Sequence, residues 1–299
     1  MAVADVLLLV ANLIYATSYV ATRVALDAVP PATLAIARLG LGAFVLVGFV
    51  RGATVARLSR PDRWRIAGMG VIGFAAAFAL GNWGLARSTA TNAALLIITE
   101  PLTLLLLGPA VLGESLSGRE WLGAACAVTG ALLVVVNGIP GLDPAVGPHW
   151  RGDVLLALSG VAYGAYSLLG RPVLARHRAL PVTAGSVLWG LPALAPLAAA
   201  EWLDGRRPSW TPAAALATLF LGVVITGLGA LVWNWALERV TVARAGIFLN
   251  VQPVVGAVLG VSVLGERVTA FTVLGGLLVV AGLVLTVRRT ASGAVYSNP

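Results

Sequence analysis

The sequence contains no lysine, one cysteine and two histidines in 299 residues. Each scarcity closes off a chemistry. Without lysine there can be no G-x-x-x-x-G-K-[ST] phosphate loop, so ATP is not the direct energy source. A lone cysteine, Cys126, set in an apolar run, excludes a disulfide framework. His149 and His177 fall in expected loops, far apart in sequence, so neither a metal centre nor any other cofactor is expected. Charge is scarce as well: 11% of residues are charged, 59% are hydrophobic and the mean hydropathy is +0.93. A soluble domain is about one quarter charged, so this composition excludes the soluble class. H-E-x-x-H, G-x-S-x-G and paired membrane aspartates are missing too, which leaves an intramembrane enzyme without a nucleophile–base pair or metal set.

What the chain does have is long apolar runs. Bounded by charge, proline or glycine, they predict an all-α membrane protein with ten transmembrane helices, at about 4–26, 32–51, 66–86, 92–112, 119–137, 152–170, 182–202, 213–237, 244–264 and 270–288. The N-terminal run reads as the first of these and not as a secretory leader, because Asp5 stands where a positive segment belongs and the first basic residue is Arg23. Ser117 with Glu120 forms a capping box for the fifth helix, with Leu116 and Trp121 at the staple positions. Thr211-Pro212 supplies an N-cap and first-turn proline for the eighth.

All 20 basic residues are arginine and the net charge is +8, but the arginines gather on no single arm or helix face, so nucleic acid is not the expected partner. They follow the positive-inside rule instead. With the N-terminus inside, 13 arginines fall in inside segments and 5 in outside ones, while Arg23 and Arg38 lie within spans. Both termini are therefore expected in the cytoplasm of a bacterium, with the chain in its inner membrane among the membrane lipids.

The chain also repeats itself. Displaced by 152 residues, 82–135 aligns with 234–287 without a gap and with 19 identities in 54 positions. Asn82-Trp83 meets Asn234-Trp235, Arg87 meets Arg239, and Pro101 meets Pro253. Leu112-Gly113-Glu114 meets Leu264-Gly265-Glu266, Gly123 meets Gly275, and Gly130 meets Gly282. At a slightly different offset Asp5-Val6-Leu7-Leu8 matches Asp153-Val154-Leu155-Leu156, and Tyr15 matches Tyr163. Shared apolar composition would not align Asn-Trp, Arg, Pro and Gly-Glu at one displacement. The organisation is two five-helix units, 1–138 and 151–290, with a polar tail at 291–299. Five is odd, so the second unit must enter the membrane inverted. Inverted repeats are an architecture of secondary transporters, with substrate bound near the midplane at the repeat interface. Two fused halves complete the symmetry within one chain, so a monomer suffices.

These motifs resemble the EamA type of the drug/metabolite transporter superfamily, over essentially the whole chain. Trp233-Asn234 and the order of aromatic positions are similar to the bacterial aromatic amino acid exporters of that superfamily, although Glu100 stands where those would have Trp. The resemblance implies efflux of amino acids or other small metabolites, and the departure at Glu100 bears on aromatic selectivity.

The residues themselves point to a site. Glu100 lies near the middle of the fourth helix, where a charge costs roughly 2.5–3.5 kcal/mol, so it is expected to face a cavity or to pair with an arginine such as Arg38. In a cavity it would hold a substrate amino group or the coupling proton. Pro101 and Pro253 should bend their helices at mid-depth and free carbonyls beside Glu100 and Gln252. Asn250 lies two residues before Gln252 on another face, so at least one of the two should point inward. Tyr15, Tyr19 and Tyr163 sit at mid-span, where a phenol needs a polar partner. Asn82 and Asn234 would cross-link helices or touch substrate, Trp233 is a candidate wall, and Trp83 and Trp235 read as interfacial anchors. Glu114 and Glu266 read as turn and capping residues. The expected cavity is lined by helices one, three, four, six, eight and nine, with the short connections between three and four and between eight and nine as gating hairpins. Two alternatives stay open: a lipid or lipid-linked carrier flippase, for which Arg38 is the arginine best placed, and an intramembrane enzyme.

Overall fold

The computed structural model describes residues 3–49, 59–112, 117–137, 139, 148–240 and 242–293. Among them every regular element is helical. In chain order these are α1 (Val3–Leu26), α2 (Pro31–Phe49), α3 (Arg60–Leu85), α4 in two pieces (α4a Ala90–Leu96, α4b Thr99–Leu112), α5 (Gly118–Asn137), α6 (Trp150–Leu174), α7 (Ala179–Leu203), α8 (212–237), α9 in two pieces (α9a Val242–Leu249, α9b Val251–Leu264) and α10 (Ala270–Gly293). The first eight are long and apolar enough to cross a membrane, and α9 and α10 contribute the shorter apolar stretches Val251–Leu264 and Ala270–Leu285.

Local chemistry sets the ends. Thr211 Oγ1 accepts from Ala214 N at 3.2 Å above Pro212, and Ser117 and Glu120 form the reciprocal box, Ser117 N donating to Glu120 Oε2 at 2.7 Å. Leu116, Gly113 and Glu114 lie outside the described residues. α3 begins six residues before its expected start because Ser59 caps it, accepting from Asp62 N at 3.3 Å, and Pro61 suits the first turn.

The repeated motifs prove to be joinery. In Asn-Trp-x-x-x-Arg the arginine turns back on the helix end: Arg87 Nη1 donates to Trp83 O at 2.7 Å and Arg239 Nη1 to Trp235 O at 2.9 Å. A cation is favoured there by the carbonyl end of the helix. In Leu-Gly-Glu, Gly265 takes a left-handed φ of 65° at the end of α9b, and Glu266 then reaches into the other repeat. Its carboxylate accepts from Ala90 N at 2.6 Å, Thr91 N at 2.7 Å and Thr91 Oγ1 at 2.7 Å. It caps α4a, a helix of the first unit, and not its own.

Both helices break ahead of their prolines, as expected, but the carbonyl expected to be free beside Glu100 is taken. Pro101 offers no N–H to the Ile97 carbonyl, which accepts from Glu100 N at 2.8 Å instead, and α4 breaks there. α9 breaks at Asn250, one repeat later, ahead of Pro253. A second pair of irregularities has no signal in the sequence pattern: Met69–Ala76 of α3 and Leu221–Gly229 of α8 widen into π-helix at repeat-related positions. Thr226 Oγ1 donates to Leu221 O, five residues back, at 2.8 Å.

The inversion is visible in how α5 meets α10. A Cβ placed on Gly130 would lie 2.5 Å from Gly275 O, and one on Gly282 would lie 2.5 Å from Gly123 O. Gly123 and Gly275 are repeat mates, as are Gly130 and Gly282, so each contact is the image of the other and the helices run antiparallel. That is the self-complementary contact of a two-fold axis, here joining two halves of one chain.

Candidate functional site

A cavity of about 160 Å³ lies between the two repeats, lined from α1, α3, α4, α6, α8 and α9, and also from α2 through Arg38. Both π segments contribute to its wall, with Phe74 from α3 and Thr226 from α8. π distortions recur at functional sites because they re-aim side chains by a fraction of a turn.

Seven of the eight residues expected from sequence line the cavity: Tyr15, Tyr19, Asn82, Glu100, Tyr163, Trp233 and Gln252. Asn250 does not. Its Oδ1 is buried without a hydrogen-bond partner, and of the Asn250–Gln252 pair it is Gln252 that points inward. Several liners are already engaged. Gln252 accepts from Tyr19 OH at 2.9 Å and donates from Nε2 to Asn12 Oδ1 at 2.7 Å, while Asn12 donates to Leu8 O at 2.8 Å. This chain ties α1 to α9b. Asn82 Nδ2 donates to Pro31 O at 2.9 Å, holding α3 to the start of α2, and Trp233 Nε1 donates to Ser167 Oγ at 3.3 Å. Asn234, behind the wall, donates to Tyr166 OH at 2.6 Å and to Thr183 Oγ1 at 2.7 Å.

The buried charges divide sharply. Glu201 accepts from Ala32 N at 3.0 Å and Thr33 N at 2.8 Å, capping α2. Asp153 is held by His149 Nδ1 at 2.5 Å, by Asn92 Nδ2 at 3.2 Å and by Ser88 Oγ, which pins the turn between α3 and α4 onto α6. Asp62 is paired with Arg176 and, at 3.0 Å, with His177. Glu100 is different: it is 8% exposed, lines the cavity, and its carboxylate has no hydrogen bond or ion pair with any described residue. Arg38 is its counterpart in the opposite sign. It is 6% exposed, donates from Nε to Thr226 Oγ1 at 3.2 Å, and stacks 4.0 Å from the Phe78 ring centroid. The two do not pair with each other, so the Arg38–Glu100 ion pair considered from sequence is not formed.

Aromatic rings form the rest of the wall. Tyr166, Phe74, Phe78 and Tyr163 follow one another at centroid separations of 5.2, 5.6 and 6.2 Å. Sequence reasoning singled out Tyr163 of these four and missed the others, together with Arg38 as a cavity residue. Phe74 and Phe78 lie four residues apart, the spacing that puts two side chains on one helical face. The missed signal was that spacing across the π segment.

A polar, aromatic cavity at the interface of two antiparallel five-helix units defines a multi-pass membrane transporter. The sequence profile of the EamA-like transporter family matches residues 2–136 and again 150–288, and the chain belongs to that family. Relatives agree over nearly full length. A protein of Streptantibioticus cattleyicolor named "Probable terminal-alkyne amino-acid exporter" is 32% identical, covering 92% of this chain and 90% of its own. An Escherichia coli protein named "Probable amino-acid metabolite efflux pump" is 26% identical, covering 94% of each. A solved crystal structure shares the fold at a TM-score of 0.68 and 22% identity, covering 98% of this chain and 99% of the other. The family and these relatives are transporters, not enzymes.

Proposed function

We propose that this transporter exports amino acids or close amino-acid metabolites across the bacterial inner membrane by alternating access, with Glu100 receiving the substrate's amino group. The observation that carries the reading is the Glu100 carboxylate, buried, unpartnered among the described residues and facing the cavity. An ammonium group brought against it supplies the missing charge-assisted hydrogen bond. The aromatic ladder suits the apolar part of an amphipathic solute, and the names of the two relatives point to the same substrate class.

Packing along α4 and α9 supports the mechanism. At one end α9b is pressed against α1 and α4a: a Cβ on Gly256 would lie 2.5 Å from Ala94 Cβ, and one on Gly260 would lie 2.5 Å from Thr91 Oγ1. Glu266 latches the same end. Towards the other end α9a sits looser, and the nearest atom to a Cβ on Gly246 is Leu104 Cδ1 at 3.9 Å. The arginine distribution supports placing the tight end outside and both termini in the cytoplasm. Tighter packing at the outer end than at Gly246 is in keeping with a protein that takes up its substrate from the inside. Two fused halves complete the symmetry within one chain, so a monomer is sufficient.

The test is transport in proteoliposomes with a panel of radiolabelled amino acids, nucleotides and lipids. Amino acids should move, and Glu100→Gln should slow them at least tenfold, on the order of one lost charged hydrogen bond. Movement of lipids alone, or an unchanged rate in the well-expressed variant, rejects the proposal.

A further inference from the structure

Arg38 is a buried cation with spare donors. A guanidinium carries five N–H groups in a planar fork, and in this site only Nε is engaged, by Thr226 Oγ1 at 3.2 Å. Its Nη nitrogens make no hydrogen bond or ion pair with any described residue, and the side chain lines the cavity while being 94% buried, the complement of its 6% exposure. The Phe78 face at 4.0 Å holds the guanidinium by cation–π attraction without using the outer donors. Thr226 is itself fixed by its bond to Leu221 O across the π segment, so the fork is braced from behind. A charge in a membrane interior is expected to be paired or to mark a ligand path. Each other buried acid named above has its own partners, and Glu100 does not reach Arg38.

We infer that Arg38 is the anchor for a substrate carboxylate: its free Nη edge takes the carboxylate in a forked pair while Glu100 takes the ammonium, making the cavity selective for molecules that carry both charges. The inference rests on the amino-acid reading above and extends it to a rule of selection. Glu100 and the Nη edge of Arg38 both present polar atoms that no described residue engages, and a zwitterion satisfies both at once. An amine without a carboxylate leaves the guanidinium desolvated and unpaired, and a carboxylate without an amine does the same to Glu100. Sites built around polar groups reject analogues that lack the matching group, because the orphaned partner is what costs.

Three probes of one scaffold test this: L-phenylalanine, its decarboxylated amine phenethylamine, and its deaminated acid 3-phenylpropionate. Binding to the purified protein in detergent is measured for all three, and uptake into proteoliposomes in parallel. Wild type should bind L-phenylalanine more tightly than either analogue. Arg38→Gln should weaken L-phenylalanine and 3-phenylpropionate by about tenfold or more while leaving phenethylamine unchanged or improved. Glu100→Gln should show the reverse pattern. Arg38→Lys keeps the charge without the fork, so it should fall between wild type and Arg38→Gln, and Thr226→Val loosens the brace while leaving the charge. If Arg38→Gln does not fold, these two variants carry the test through the same ratio of acid to amine affinity. Equal loss for all three probes, or undiminished binding of 3-phenylpropionate, overturns the inference. Selective binding without transport would leave Arg38 as the carboxylate anchor and reject the exporter reading, so the two failures are distinct.

Discussion

Glu100 and Gln252 occupy one place in the repeat, each just before the helix-breaking proline, yet they do opposite work. Gln252 is consumed by Tyr19 and Asn12, whereas the Glu100 carboxylate in the cavity wall bonds to no described residue. Their variants should therefore separate stability from transport. Gln252→Ala removes both bonds and orphans Asn12 Oδ1, which should cost about 1–3 kcal/mol, read as a lowered melting temperature in detergent. Glu100→Gln replaces a buried carboxyl group that bonds to no described residue by a neutral group of the same size, and should hold or raise the melting temperature while transport falls. Glu100 was legible in the sequence because a charge inside an apolar run stands out. Arg38 was equally visible as a charge, but its use depends on Thr226 and Phe78, which no spacing brings to it. Glu201 was not legible at all, since its partners are backbone amides of a helix about 170 residues away.

Among elements, the broken helices and the glycine-lined pair carry the expectations that can be measured. Pro101→Ala returns an N–H to α4 and should close the gap between α4a and α4b. Transport should slow while expression persists, since the break that sets Glu100 in the cavity wall would be lost. Gly130→Val and Gly282→Val each drive a side chain into backbone of the facing helix and should destabilise by about 1–3 kcal/mol, read in the same melting assay. Helix existence, the proline breaks and the caps at Ser117 and Thr211 could be read in advance because each depends on residues within a turn of one another. The π segments could not, because they follow from how α3 and α8 meet their neighbours and not from composition. Glu266 shows the same limit from another side. Its motif was recognised as a capping turn, but the helix it caps belongs to the opposite repeat.

For the whole molecule the duplicated pattern predicted the architecture, because an odd number of spans leaves the second unit no choice but inversion. The antiparallel contact of α5 with α10 agrees with this. Single cysteines at Arg119 and Arg267, both exposed, in a Cys126→Ser background should be labelled by an impermeant maleimide from opposite sides of the membrane. Labelling from one side would remove the inverted arrangement and the transporter geometry built on it. Which helices surround the cavity was foreseen for six of them. The seventh, α2, enters through one side chain and could be found only from the packed structure.

The glycine contact between α5 and α10 has a practical corollary. It is a docking surface held by the helix that ends one unit and the helix that ends the other, and its glycines lie within those two helices. Two polypeptides made separately, one ending after Asn137 and one starting at Pro148, carry matching faces and should find each other in the lipid as partners do in a dimer. Recovery of transport from such a pair would show that the peptide link between the units is a convenience of synthesis, and that shape alone makes them one machine.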